Sequence, residues 1–200
     1  MATREYEISF VVDPIEDPFD DRIDAVMDRL PGAVIASHGD LSIATTLVQA
    51  EDAVEAGLKA ARELDACGLP VHRTSLDLVT RQDIADRVGV SRQAVGNWAR
   101  GDRHESDPFP GRHSSVAGGV WLWADVASWL TSRGLLSENV AYPSSTEHAV
   151  IDACLVGHAS GLRTQFVTAK ESLPLAPQHS KLTFTWGVAD SNQRDYTLAS

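Results

Sequence analysis

The first part of the chain alternates between strand-like and helix-like spacing of its apolar positions. Residues 5–13 alternate apolar and polar side chains as a half-buried strand does, whereas residues 20–30 place apolar residues on one helical face. The next runs predict a hairpin at 33–37 and 41–48, a helix at 51–66 and a strand at 70–79. The order β-α-β-β-α-β predicts a ferredoxin-like domain, with two helices on one face of a four-stranded antiparallel sheet.

Residues 80–100 carry the spacing of two short helices that cross sharply. Their apolar or small positions are Ile84, Ala85, Val88, Val90, Val95 and Trp98. Gly89 supplies the positive φ that a tight turn needs, and Ala85 is small enough for the second helix to cross close over it. Thr80 with Asp83 has the form of a capping box, and Ser91 can cap the second helix. The pattern predicts a helix-turn-helix.

The following stretch predicts a hairpin wing and a further helix, and with it the sequence resembles a known superfamily. The residues concerned are Val95, Trp98, Arg100, Phe109, Pro110, Arg112, Trp121, Asp125, Val126, Trp129 and Leu130. They resemble the winged-helix DNA-binding proteins of the excisionase and MerR-like superfamily, in which a recognition helix ending near a tryptophan precedes a basic wing with Phe-Pro and a W-x-x-x-[DE]-V-x-x-W-L helix. The insert at 101–108 departs from the usual small members. Trp98 and Trp129 are expected in the core, with one of Trp121 and Trp123 inward and the other partly outward.

The C-terminal part predicts a small extension. A helix is expected at about 146–158, packed on the winged domain or on a second subunit, and a β-hairpin at 181–188 and 194–198. The expected fold is therefore α+β, with an acidic ferredoxin-like domain at 1–78, a winged helix-turn-helix domain at 79–133 and an extension at 134–200.

Charge is divided unevenly between these parts. The chain has a net charge of −11, which would ordinarily argue against a nucleic-acid partner. Residues 1–78 hold 6 Lys and Arg against 16 Asp and Glu, whereas residues 79–133 hold 7 against 6, and all 7 are arginine. Arginine suits bidentate contact with guanine and with phosphate. The distribution favours DNA contact by the second domain, with the acidic first domain held away from the duplex.

The resemblance and the side-chain chemistry together predict a DNA-binding surface. The recognition helix is expected at Ser91–Arg100, with Arg92, Gln93 and Asn97 reading base edges. The expected phosphate contacts are Thr80, Arg81, Ser91, Arg100 and Arg103, and the expected wing contacts to the backbone or minor groove are Arg112, His113 and Ser114.

Other chemistry is poorly supported. No phosphate-binding glycine motif and no nucleophile with an oriented base occurs, so neither an enzyme nor a cofactor is expected. His104 and His113 lack the spacing of metal ligands, the carboxylates of residues 13–24 predict a solvated acidic face, and His148 with Asp152 predicts a solvated polar pair. Two distant cysteines and the absence of a membrane-spanning or signal-like run predict a reduced cytoplasmic chain.

The function expected from these patterns is sequence-specific binding of double-stranded DNA by a bacterial or phage transcriptional regulator. A homodimer through residues 1–78 is expected, because one recognition helix covers only a few base pairs. Two alternatives remain open. One is an excisionase-like factor that bends DNA for a recombinase, and the other is an interaction module whose acidic first domain binds a basic protein partner.

Overall fold

The computed structural model describes residues 3–101, 108–137 and 139–159. The predicted hairpin at 181–188 and 194–198 lies outside these residues, as do Arg103 and His104. The described chain mixes helices with two sheets, which confirms the α+β class.

The first domain has its six expected elements in the expected order. They are β1 (Arg4–Val12), α1 (Asp21–Arg29), β2 (Val34–His38), β3 (Leu41–Ala50), α2 (Ala53–Ala66) and β4 (Val71–Ser75). The strands lie in the order β2-β3-β1-β4, and each neighbouring pair is antiparallel. The last strand ends at Ser75 rather than at residue 79, because Leu78 and Val79 pair in a second sheet.

Alternation along β1 places the core on one face of this sheet. Tyr6, Ile8, Phe10 and Val12 are buried, and they cluster with side chains of α1 and α2 such as Leu64. Helix boundaries follow local signals. The helix α1 begins after Asp20, whose side chain accepts hydrogen bonds from the backbone and side chain of Arg22, and these bonds lower the pKa of Asp20 to about 2.

Two later elements complete the first domain, and neither contact was expected from the sequence. Strand β7 (Val140–Ala141) pairs in parallel with Glu5 and Tyr6 of β1, so the sheet has five strands and is mixed rather than four-stranded and antiparallel. Helix α6 (Ser145–Ala159) buries Ile151 in the first core beside α2. Within the chain, this helix therefore packs on the first core and not, as one alternative had it, on the second domain.

The close approach of α6 to α2 depends on Gly57. A Cβ atom at this position would lie 2.6 Å from Cδ1 of Ile151. Residue His148 on the same helix is only 5% exposed, so the expectation of a solvated pair with Asp152 is wrong as well. The Asp152 carboxylate instead accepts a hydrogen bond from the backbone N–H of Thr74, at 2.6 Å.

The residues expected to form the second domain have a hydrophobic core of their own. Their elements are β5 (Leu78–Val79), α3 (Arg81–Val88), α4 (Arg92–Arg100), a 3₁₀ turn at Val116–Gly118, β6 (Trp121–Leu122) and α5 (Trp123–Ser132). Strands β5 and β6 pair antiparallel. Both Trp121 and Trp123 are buried, contrary to the expectation that one of them faces partly outward. Strand alternation fails here because Trp123 already begins α5.

We predict that Gly57→Ala destabilises the first domain, although alanine favours helix by about 1 kcal/mol. The added methyl group would overlap Ile151 Cδ1, and overpacking of this kind costs about 1–3 kcal/mol. Ile151→Val removes this nearest atom. The double variant should therefore lose less stability than the sum of the losses of the two single variants. Urea unfolding measures all four free energies. Stabilisation by Gly57→Ala would contradict the packing described.

A second prediction concerns pH. Burial lowers the pKa of His148 below its ordinary value of 6.5, although the negative charges of Asp152 and Glu147 act to raise it. As pH falls, the unfolded chain therefore takes up a proton at this histidine before the folded chain does. The stability that neutral His148 contributes is present above about pH 6.5 and is lost as pH falls below that value. Between about pH 7.5 and 5.5, unfolding should show a larger loss of stability for the parent chain than for His148→Gln. An exposed control, His113→Gln, should behave as the parent; equal losses in all three chains would refute the assignment.

Candidate nucleic-acid interface

The turn between α3 and α4 is defined by local hydrogen bonds. The backbone N–H of Thr80 donates to the Asp83 carboxylate at 2.8 Å, and this bond, with the Thr80 side chain, lowers the pKa of Asp83. The Thr80 hydroxyl also accepts from the backbone N–H of Asp83. Gly89 has φ 72° and ends α3, while the Ser91 side chain accepts from the backbone N–H of Ala94 at 3.2 Å. The predicted caps and the glycine turn are confirmed.

Helix α4 turns one face inward and one outward. Val95 and Gly96 are buried against the second core, whereas Arg92 and Gln93 are exposed and Asn97 is half-buried. These three polar residues lie within the first two turns of the helix. Arg100, in the last turn, is exposed, and its guanidinium donates to Oδ1 of Asn97. The outward face therefore presents arginine and amide groups, with the asparagine oriented by its neighbour.

A hairpin at residues 113–120 lies beside the start of α3. His113 N–H donates to the Val120 carbonyl at 2.8 Å, and Val120 N–H donates to the Ser114 carbonyl at 2.9 Å. Its tip is unusual, because Ala117, Gly118 and Gly119 all have positive φ. A Cβ on Gly119 would also lie 2.9 Å from the Arg112 side chain, so glycine is required there by both conformation and space.

Arginine and tryptophan side chains attach this 113–120 hairpin to the rest of the domain. The guanidinium of Arg81 donates to the Gly118 carbonyl at 3.1 Å, and the guanidinium groups of Arg81 and Arg112 each lie 5.9 Å from the Trp121 ring. Trp121 donates from its indole N–H to the Pro110 carbonyl. Arg81, expected only as a phosphate contact, therefore also positions the hairpin tip.

An open groove of about 310 Å³ lies between the start of α3 and the hairpin tip. It is lined by Thr80, Arg81, Gln82, Arg92, Ala117, Gly118 and Gly119. The groove thus brings together three expected site residues, Thr80, Arg81 and Arg92. The other expected residues that the structure describes do not line it. Gln82 and the glycine pair were not expected here. The glycines were visible in the sequence, but a lone Gly-Gly pair does not reveal which element it faces.

Arg87 lies outside this surface although it belongs to α3. Its two terminal nitrogens pair with the Asp77 carboxylate at 2.6 and 2.9 Å, which raises the pKa of the guanidinium, and its charge lies 4.7 Å from the Trp123 ring. The Asp77 carbonyl also accepts from Trp123 N–H. Asp77 lies between β4 and β5, so these contacts hold α3 and α5 against the short segment that leaves the first domain.

Neither a metal centre nor a membrane span is found in the described part of the chain. Its His, Cys, Asp and Glu residues form no group of three or more that could hold a metal ion. None of its helices combines the length and the apolar character needed to cross a bilayer.

Comparison with known protein families identifies a match to the C-terminal part of the chain. The sequence model of a family described as "Transcription regulator YfeC-like" matches residues 79–185, just over half of the 200-residue chain. No curated protein matches the chain, and no solved structure does.

We predict that Gly119→Ala lowers the free energy of unfolding of the second domain, whereas Gly111→Ala does not. Gly119 has φ 116° and a crowded Cβ position, whereas a Cβ on Gly111 would meet no atom within 4 Å. Strain of this kind costs about 1–3 kcal/mol. Urea unfolding and amide exchange at Val120, whose N–H bonds within the hairpin, measure the effect. Equal stability and equal exchange for both variants would contradict the crowding at the hairpin tip.

Proposed function

The chain belongs to the YfeC-like family of transcription regulators, and we propose that it regulates transcription by binding double-stranded DNA sequence-specifically through α4. The observation that carries this proposal is the outward face of α4, where Arg92, Gln93 and Asn97 stand beside the arginine-lined groove. Membership of a family of regulators also favours a non-enzymatic role.

The proposal includes a more specific fold for each domain. Residues 79–133 would be a winged helix-turn-helix of the excisionase and MerR-like type, with the 113–120 hairpin as its wing. Two helices joined by a capped glycine turn, followed by a hairpin and a third helix, support this. Residues 1–78 would be ferredoxin-like, which the antiparallel order β2-β3-β1-β4 supports. Residues 134–200 would be an extension, although β7 and α6 contribute to the first domain.

The DNA contacts divide into base readers and phosphate ligands. Arg92 would fork onto guanine, and Gln93 and Asn97 would pair with adenine, because their donors and acceptors match those bases in the major groove. The proposed phosphate contacts are Thr80, Arg81, Ser91, Arg100 and Arg103, with Arg112, His113 and Ser114 on the wing. Arg81 would contact phosphate through the guanidinium N–H groups that do not donate to the Gly118 carbonyl.

The acidic first domain would keep clear of the duplex. Its 16 carboxylates against 6 cations repel phosphate, which limits non-specific binding and makes affinity depend on the arginines of the second domain. A homodimer through this domain would place two α4 helices on two half-sites. A cytoplasmic location in a bacterium, or function within a phage-infected cell, is part of the same proposal.

Two alternatives follow from particular observations. The resemblance to excisionases favours a factor that bends DNA, which a bending assay would reveal. Phe19 is 88% exposed and stands among Asp17, Asp20 and Asp21, which favours a basic protein partner with an apolar pocket. Capture of such a partner that survives nuclease treatment would support this second alternative, because a partner bridged by DNA is lost.

We predict that Arg92→Ala and Arg100→Ala weaken DNA binding in different ways. Arg92→Ala should cost about 1–3 kcal/mol on the selected site and reduce discrimination against a scrambled duplex. Arg100→Ala should weaken binding to both duplexes alike and lower the slope of log K against log salt by about 0.9 for each phosphate that is no longer neutralised. Salt titrations of both variants on both duplexes measure this.

Two control variants accompany this comparison. Arg62→Ala removes an exposed arginine from α2 of the acidic domain and should change neither affinity nor slope. Arg100→Lys keeps the charge and should restore the slope. If Arg92→Ala weakens binding to both duplexes equally and lowers the salt slope, Arg92 does not read a base. If neither Arg92→Ala nor Arg100→Ala affects binding, α4 does not enter the major groove of the DNA.

A further inference from the structure

The two edges of the first sheet differ in how their backbone groups are satisfied. At the outer edge of β4, the N–H of Thr74 donates to the Asp152 carboxylate and its carbonyl accepts from Arg73. These side chains occupy the positions that an added strand would need. At the opposite edge, the sheet ends at β2, and within the described residues no further strand pairs with it.

Strand β2 lacks the usual protection of an edge. Natural edges are protected by lysine, proline, bulges or inward charges, because an open strand edge pairs readily with another chain. The residues of β2 are Val34, Ile35, Ala36, Ser37 and His38, and they include no acid, lysine, arginine or proline. Val34 is 59% exposed. In a domain with 16 carboxylates, this edge is free of the like charge that would separate two copies.

We propose that β2 pairs antiparallel with β2 of a second copy of this chain, about a two-fold axis at Ala36. The register supports this geometry. His38 and Leu41 flank the two-residue turn of the β2–β3 hairpin, so hydrogen-bonded pairs occur at His38, Ala36 and Val34. By the same alternation, Ile35 and Ser37 direct their N–H and C=O groups away from β3.

These outward groups are self-complementary. Ile35 and Ser37 are equally distant from Ala36, so Ile35 of each copy exchanges two hydrogen bonds with Ser37 of the other. Ala36 then faces Ala36 at a non-hydrogen-bonded position, where Cα atoms approach to about 4.5 Å and a small side chain is suited. Val34 faces His38 of the second copy, which covers the exposed valine. The two sheets become one continuous sheet.

This inference rests on the homodimer of the proposed function and names the surface that forms it. It is tested without DNA, so failure of the edge pairing can be told apart from failure of DNA reading. A monomeric chain that still discriminates among duplexes would overturn the edge pairing and leave α4 as the reader.

The first test uses charge at the two-fold axis. Full-length Ala36→Glu and Ala36→Lys each place like charges opposite one another, so each alone should have half the mass of the parent dimer by light scattering. An equimolar mixture should recover the dimer mass, because Glu then faces Lys. Ala66→Glu and Ala66→Lys at an exposed position of α2 should remain dimeric. A monomeric parent, or Ala36 variants that dimerise like the parent, would overturn the proposal.

The second test depends on distance and does not perturb charge. In the proposed register the two Ala36 Cα atoms are within the range that a disulfide spans, about 4.4–6.8 Å, whereas two Val34 residues lie about 13 Å apart. Mild oxidation should therefore give a covalent dimer with Ala36→Cys and not with Val34→Cys. The native Cys67 and Cys154 are buried. Equal cross-linking of both variants, or none with Ala36→Cys, would contradict the pairing.

Discussion

The second domain depends on the packing of Phe109 among three tryptophans. The Phe109 ring lies 5.0 Å from that of Trp129, 5.9 Å from that of Trp121 and 6.4 Å from that of Trp98. Those tryptophans belong to α5, β6 and α4, respectively. The Phe109 side chain therefore holds together the outward-facing helix α4, the strand β6 that follows the hairpin, and the helix α5. A short domain has few residues to bury, and large aromatic side chains supply most of the apolar area that it can hide.

This aromatic core determines what remains exposed. With Val95 buried and Trp98 packed on Phe109, the polar side chains at the start of α4 have only the outward direction left. The pairing of Arg87 with Asp77 removes one cation from that surface and fixes the connection to the first domain. Arg92, Arg100 and Arg112 are exposed and belong to a part of the chain that follows a strongly acidic one, so attraction for anions is concentrated on this part.

Sequence patterns predicted the parts of this structure that depend on neighbouring residues. The caps at Thr80 and Ser91 and the turn at Gly89 follow from local backbone chemistry, and strand and helix periods located the six elements of the first domain. The errors concern contacts between distant segments. Nothing local in β7 indicates that it joins β1. The helix α6 was predicted, but its low apolar contrast did not indicate that Ile151 fills the first core.

The expected site shows the same division. The outward-facing polar residues of α4 could be predicted from the sequence, because position along the helix and side-chain chemistry decide which residues face outward. The groove beside the hairpin could not, because it requires Gly118 to meet Arg81 across 37 positions of sequence. The role of Arg81 in holding the hairpin tip follows from that contact alone.

We propose that α4 reads DNA sequence in a two-fold assembly. Selection of bound duplexes from a random pool by the full-length chain, followed by sequencing of the enriched molecules, tests it most directly. We expect an inverted repeat whose half-sites are centred about one helical turn, or a multiple of it, apart. Recovery of duplexes with no shared sequence, at an affinity that depends on salt alone, would contradict it.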